Sequence, residues 1–122
     1  MIFNSESMDA SNYFFKDKDQ KWEPVEPKIK RQILGYDVNM MMVKVHFEKD
    51  GVGQLHSHKH TQSTYIATGV FEVTIGEKTE VLTEGDSFFV GSNISHGLIC
   101  KEEGILVDVF SPMREDFIKK NY

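Results

Sequence analysis

Residues 56–62 read His-Ser-His-Lys-His-Thr-Gln, so three of the chain's five histidines fall within five residues. Alternate residues of a strand share a face. On a strand, His56 and His58 project together with their Cα atoms about 6.5 Å apart, and two imidazoles at that separation can converge on one metal ion. His60 and Gln62 join them only if the strand runs on. A turn within Lys59-His60-Thr61-Gln62 instead carries Gln62 onto the next strand, aimed back at the same ion, with His60 deflected. Downstream, Gly85-Asp86-Ser87-Phe88-Phe89-Val90-Gly91-Ser92-Asn93-Ile94-Ser95-His96 brings a further histidine after a Gly-Asp turn. A ligand from a distant strand is what closes a site inside a barrel. The competing reading of the cluster is a solvated polar loop that happens to be rich in histidine.

A second stretch, Ile105-Leu106-Val107-Asp108-Val109-Phe110-Ser111-Pro112-Met113-Arg114, places a carboxylate in an apolar run. Leu106, Asp108 and Phe110 alternate with Val107, Val109 and Ser111. Burying Asp108 is expensive unless it is partnered or faces a cavity. Arg31 and Arg114 are the only arginines, and Arg114 lies six residues after Asp108. Arginine binds carboxylates bidentately, so Arg114 suits an acidic ligand. The alternative is structural: a salt bridge between Asp108 and Arg114, with Arg114 at a helix start.

These residues need a frame. Residues 1–28 read as an irregular arm, charged and interrupted by Pro24 and Pro27. Trp22 and the pair Phe14 and Phe15 are expected to pin it to the body or to a second subunit. From residue 29 to 122 the chain reads as one domain. Short β-type runs begin at Ile29, Met40, Ser63, Val70, Thr79, Asp86, His96 and Ile105, most of them separated by glycines or polar turns. About eight short strands at this spacing predict an all-β sandwich or barrel. Residues 113–122 have helical character, with acids early and lysines late to match the helix dipole.

The totals agree with a globular domain: 122 residues, 39% apolar and 27% charged. A net charge of −5 argues against a nucleic-acid partner. It also requires any site for an anion to be locally cationic. Cys100 is the single cysteine, so no internal disulfide forms, and its apolar run predicts a buried, inert thiol. The first ten residues carry no signal-peptide pattern and no apolar run approaches the roughly 20 residues of a membrane span. A soluble, cytoplasmic protein is expected.

Gly51…His56-x-His58-x3-Gln62…Gly69 resembles the first cupin motif, and Gly85-x5-Gly91-x-Asn93-x2-His96 resembles the second. The usual glutamate is Gln62 and the usual Pro-x-Gly is Gly91-Ser92-Asn93. The resemblance implies a cupin double-stranded β-helix, a jelly-roll barrel with an N-terminal arm and a short C-terminal helix. Isoleucine 29 to Phe47, the histidine run and Asp108-Val109-Phe110-Ser111-Pro112-Met113-Arg114-Glu115-Asp116-Phe117 together resemble the pectin-degradation KdgF family of small cupins. That family opens the ring of 4,5-unsaturated monouronates released by pectin and alginate lyases, giving a linear keto-uronate. The resemblance implies metal ligands at His56, His58, Gln62 and His96, and catalytic residues at Asp108, Phe110 and Arg114. Lys59 and Thr61 depart from the more usual proline and glutamate, which implies at most a change at the pocket rim.

Three neutral histidines and a neutral amide leave the double charge of a divalent ion uncompensated. Such an ion attracts anions and acts as a Lewis acid, which answers the charge problem. It also weakens a dioxygenase reading, where two histidines and a carboxylate are the common set. Zinc, nickel, iron or manganese would suit these ligands. Arg114 or the ion would hold the substrate carboxylate, Asp108 would move a proton, and Phe110 would exclude water. The alternatives are a non-catalytic sugar-acid-binding or sensor cupin, or a metal-dependent dioxygenase. His46 is expected at the surface or pocket edge, His60 outside the ligand set and Met40–Met42 in strand packing. Arg31 fits either the pocket edge or a dimer contact. A homodimer is expected, with no nucleic-acid or membrane partner.

Overall fold

The computed structural model describes residues 10–118. It contains eight strands, β1 (Glu23–Glu26), β2 (Ile29–Asp37), β3 (Met40–Phe47), β4 (Val52–His56), β5 (Thr61–Ile75), β6 (Lys78–Thr83), β7 (Ser87–Val90) and β8 (His96–Ser111), a 3-10 turn at Asp17–Asp19 and one short α-helix, α1 (Glu115–Ile118). All strand pairs are antiparallel, in the order β1-β2-β3-β8-β5-β6, with β4 added to β8 and β7 to β5. No helix among the described residues is long and apolar enough to cross a membrane.

The long strands β5 and β8 organise the barrel. They pair along their whole lengths, from Thr61 opposite Ser111 to Ile75 opposite His96. The late half of β8 lies between β3 and the early half of β5, whose other edge takes β7. The early half of β8 pairs with β4, and the late half of β5 pairs with β6. Each long strand therefore serves both faces of a jelly roll, and the hydrogen-bonded path does not close on itself. Register shifts between Ile66 and Phe71 mark the corner, where bulges let a strand bend from one face to the other.

Two sequence expectations change here. The runs starting at Ser63 and Val70 are one strand, as are those at His96 and Ile105, because a corner bends a strand without ending its pairing. Residues 23–26, expected to be irregular, form β1. This strand lies at the sheet edge, where a proline removes no ladder hydrogen bond that the sheet needs. Trp22 meets the edge of His46 at 5.9 Å, and Lys30 and Lys44 approach its face. Phe14 is exposed. Among the described residues the expected helix occupies Glu115–Ile118, and residues 119–122 lie outside them.

Two buried clusters fill the interior. Ile29, Phe47, Ile66, Phe71, Val73, Cys100 and Leu106 form one, and Met41, Val43, Phe110 and Met113 the other. Burial pushes the Cys100 thiol above its ordinary pKa, consistent with the inert role expected. Of Met40–Met42, only Met41 is in the core, while Met40 and Met42 are exposed on the opposite strand face.

Gly69 sits at the corner with φ +94, and a Cβ there would lie 2.6 Å from the Gly104 Cα. Gly76 also has positive φ, but a Cβ would meet nothing within 4 Å. Gly69→Ala is expected to cost about 3 kcal/mol or more, from backbone strain plus overpacking. Gly76→Ala is expected to cost about 1 kcal/mol. Denaturant melts of the two variants check the order, and equal losses would contradict it.

Candidate metal centre and acid–base site

β4 ends at His56, directly opposite His96 at the start of β8. Their ring centroids are 4.4 Å apart. His58 is not on the strand, so strand alternation does not aim it. The loop after β4 turns it back instead, to 5.4 Å from His56 and 4.8 Å from His96. The backbone N–H of Asn93 donates to the His58 carbonyl at 2.7 Å. Asn93 has φ 64, a left-handed conformation that asparagine tolerates better than most residues. It thus does the conformational work of the glycine usual in that motif.

Each of the three imidazoles is oriented by a main-chain carbonyl. Nδ1–H of His56 donates to Gln54, that of His58 to His60, and that of His96 to Ile94, at 2.7, 2.9 and 2.9 Å. A carbonyl only accepts, so the proton sits on Nδ1 and Nε2 presents a lone pair. Burial lowers the pKa of His58 and His96, which keeps them neutral at pH 7. One nitrogen from each of the three histidines lies within 4.8 Å of the others, and the buried His96 Nε2 has no hydrogen-bond partner among the described residues. The group can hold a metal ion.

Gln62, on β5, points its Oε1 to within 3.2 Å of His58 Nε2. Two acceptors that close repel unless a cation lies near both. The amide cannot be turned round without loss, because its Nε2 donates to Thr64 Oγ1 at 3.0 Å and to Asp108 Oδ1 at 3.2 Å. Thr64 Oγ1 donates to the same Asp108 oxygen at 2.5 Å. Gln62 and Thr64 are buried. Thr64 was not singled out from sequence, although its place two residues after Gln62 on one strand puts both on the same face.

Asp108 lies between Val43 of β3 and Thr64 of β5. Its carboxyl pKa rises from 3.8 to about 6, chiefly through burial, while the hydrogen bonds from Thr64 and Gln62 pull it back down. The structural alternative of an Asp108–Arg114 ion pair is not formed. Arg114 instead donates through Nε and Nη2 to Asp116, at 3.1 and 2.9 Å. Its guanidinium lies over Phe110, 5.0 Å from the ring centre, and over Phe117 at 4.3 Å. His56, Gln62, His96, Asp108, Phe110 and Arg114 line one cavity of about 270 Å³.

His60 is buried against Phe110 and lies outside the three-histidine group. His46 pairs with Glu103 at 2.7 Å, on the strand face opposite Val43 and Val45. Arg31 lines the cavity.

Metal content tests the centre. Changing His58 and His96 together to alanine is expected to abolish divalent-ion binding, whereas His60→Ala leaves it near normal. Full occupancy of the double variant by elemental analysis would refute the assignment. A second expectation concerns pH. Asp108 holds its proton more tightly folded than unfolded, so the protonated carboxyl adds stability. That contribution is complete below about pH 4 and lost as pH rises through about 6. In metal-free protein, Asp108→Asn is therefore expected to gain melting temperature relative to wild type between pH 4 and 7. A difference that stays flat over this range would mean that Asp108 is not shifted.

Comparison with known proteins places this geometry in a family. Residues 43–110 match the family model described as Cupin domain. The chain is 41% identical over 107 residues to the pectin degradation protein KdgF of Dickeya dadantii (strain 3937), covering 86% of this chain and 97% of that one. A solved RmlC-like cupin from Shewanella frigidimarina NCIMB 400 superposes with a TM-score of 0.89 at 41% identity, over 91% of this chain and all of that one. KdgF from Halomonas sp. superposes with a TM-score of 0.85 at 34% identity, over 88% and 99%. With this fold, this histidine group and relatives matched over nearly their whole length, the chain belongs to the KdgF family of small single-domain cupins.

Proposed function

We propose that the protein converts 4,5-unsaturated monouronates, of the kind released by pectin or alginate lyases, to the linear keto-deoxyuronate. The observation that carries this reading is the chain of contacts from His58 to Gln62, whose amide hydrogen-bonds Asp108, opening on one small cavity. The relative from Dickeya dadantii is named for pectin degradation, which fits a uronate-derived substrate.

His56, His58 and His96, with Gln62 Oε1 as fourth donor, would hold one divalent ion. Bound there, the ion supplies positive charge and Lewis acidity beside the substrate oxygens. The reaction itself is an isomerisation. The C1 hydroxyl proton leaves, the bond from C1 to the ring oxygen breaks, and C1 becomes an aldehyde. The electrons of that bond stay on the former ring oxygen as an enolate at C5. A proton added at C4 converts the enolate to a ketone, so one proton is removed and one returned.

Asp108 would carry it. A carboxyl with a pKa of about 6 is largely ionised at pH 7 and so able to accept a proton, yet it remains a useful acid afterwards. Thr64 and Gln62 both hold Oδ1, leaving Oδ2 for the substrate. Phe110, almost fully buried and edge-on to His58 at 5.8 Å, forms an apolar wall that limits water and favours the neutral acid. Arg114 or the ion would meet the substrate carboxylate.

Asp108→Asn keeps the shape and removes the base. Turnover of lyase-generated unsaturated uronate, followed as loss of enol absorbance, is expected to fall by about a hundredfold to ten-thousandfold. Metal content should hardly change. Activity of the variant within a few-fold of wild type would remove Asp108 from the reaction. Stoichiometric rather than catalytic consumption by the wild type would favour a binding protein instead, and oxygen uptake would favour a dioxygenase.

A further inference from the structure

The chain's only two arginines meet at one aromatic ring. The Arg31 guanidinium lies 3.9 Å from the centre of Phe117 and that of Arg114 lies 4.3 Å from it. Both line the cavity, and both side chains are 13% exposed. They reach the site from different elements. Arg31 comes from β2, opposite Val45 of β3, and so points inward with Ile29. Arg114 comes from the segment between β8 and α1.

Their free hydrogen-bonding edges differ. Arg114 is engaged along its Nε–Nη2 edge by Asp116, which leaves only Nη1 without a partner among the described residues. Arg31 is held at Nε alone, by Glu23 Oε1 at 3.0 Å. Its Nη1 and Nη2 groups have no hydrogen-bond partner among the described residues. A cavity-lining guanidinium largely removed from water, held at Nε and lying over an aromatic ring, keeps its terminal two-nitrogen edge for a ligand. That edge matches the two oxygens of a carboxylate. A net charge of −5 gives no general attraction for an anion, so a local cation of this kind is needed.

We propose that Arg31 is the carboxylate-binding residue of the site, taking both oxygens of a sugar acid through Nη1 and Nη2, with Arg114 adding one hydrogen bond from Nη1. This rests on a uronate being the ligand. Glu23 and Phe117 are then positioning residues, one fixing the Nε end and the other the plane of the guanidinium. Burial also depresses the Arg31 pKa, opposed by nearby Asp116 and aided by Arg114. A bound carboxylate relieves that strain on the charged form. The assignment gives β1 a purpose: it carries the carboxylate that sets Arg31.

The test uses the full-length, metal-loaded protein and calorimetric titration with galacturonate, a saturated uronate, and with galactose, its neutral counterpart. Arg31→Gln is expected to weaken galacturonate on the order of a hundredfold, as loss of a bidentate charge-assisted pair does, and to leave galactose unchanged. Arg31→Lys keeps the charge and the partner Glu23, and is expected to recover only part of the affinity because it lacks the fork. If Arg31→Gln melts early, Arg31→Lys decides alone: at least a fivefold loss supports the assignment. Galacturonate affinity within twofold of wild type in a folded Arg31 variant overturns it, as does the absence of any galacturonate binding by the wild type. In turnover assays Arg31→Gln should raise KM more than it lowers kcat. A wild type that binds galacturonate through Arg31 but never turns over unsaturated uronate leaves this assignment standing and removes the proposed reaction. Normal turnover with an unchanged KM in Arg31→Gln does the reverse.

Discussion

The amide of Gln62 is the constraint on which the site depends. Its nitrogen serves Thr64 and Asp108, and its oxygen faces His58. A primary amide is a side chain that can donate on one side and accept on the other. Glutamate has the same shape but no donor. At this position it would set a second carboxylate against Asp108, and like charges at such range drive one pKa sharply upward. The neutral residue is therefore explained twice, by the charge it leaves on an ion and by the hydrogen bond it gives to the acid.

That bridge exists because of strand register. Gln62 lies opposite Phe110 and Thr64 opposite Asp108 on the paired β5 and β8. A slip of one residue would turn Asp108 to the outer face and bring Val107 or Val109 inward. The register is fixed in turn by burial: Leu106 and Phe110 are in the core with Ile66, Met41 and Val43. The acid is thus positioned by the same hydrophobic alternation that sets the register of the sheet, which is why a carboxylate facing the cavity is tolerated in that strand.

The cavity combines two kinds of group, a histidine cluster and a pair of arginines. The imidazoles of His56, His58 and His96 are each oriented through Nδ1 by a backbone carbonyl. Arg31 and Arg114 stand near Phe117, each with one carboxylate partner that holds it without covering all its donors. Asp108 lines the same cavity. An acidic protein can concentrate positive potential in this way, because low-dielectric walls focus the field of a few fixed charges.

Sequence alone determined the chemistry-bearing residues and the class of fold. The histidine spacing, the distant His96, a carboxylate in an apolar run and glycine-punctuated β patterns are local signals that survive without coordinates. It also favoured a turn that carries Gln62 onto the next strand, over a strand running on through it. Other features are not local. Sequence could not join two short runs into one bent strand, because a corner and a strand end look alike when pairing partners are unknown. It expected His58 on a strand, whereas the chain leaves β4 at His56 and a loop anchored by Asn93 aims the ring. It offered Arg114 to Asp108, being six residues away, but the structure gives Asp108 to Thr64 and Gln62, 44 and 46 residues distant. Hydrogen bonds follow distance in space, and antiparallel pairing sets that distance with no regard for separation along the chain. Arg31 shows the same thing: on its own strand it is an ambiguous cation, and only folding lays it on Phe117 beside the chain's other arginine.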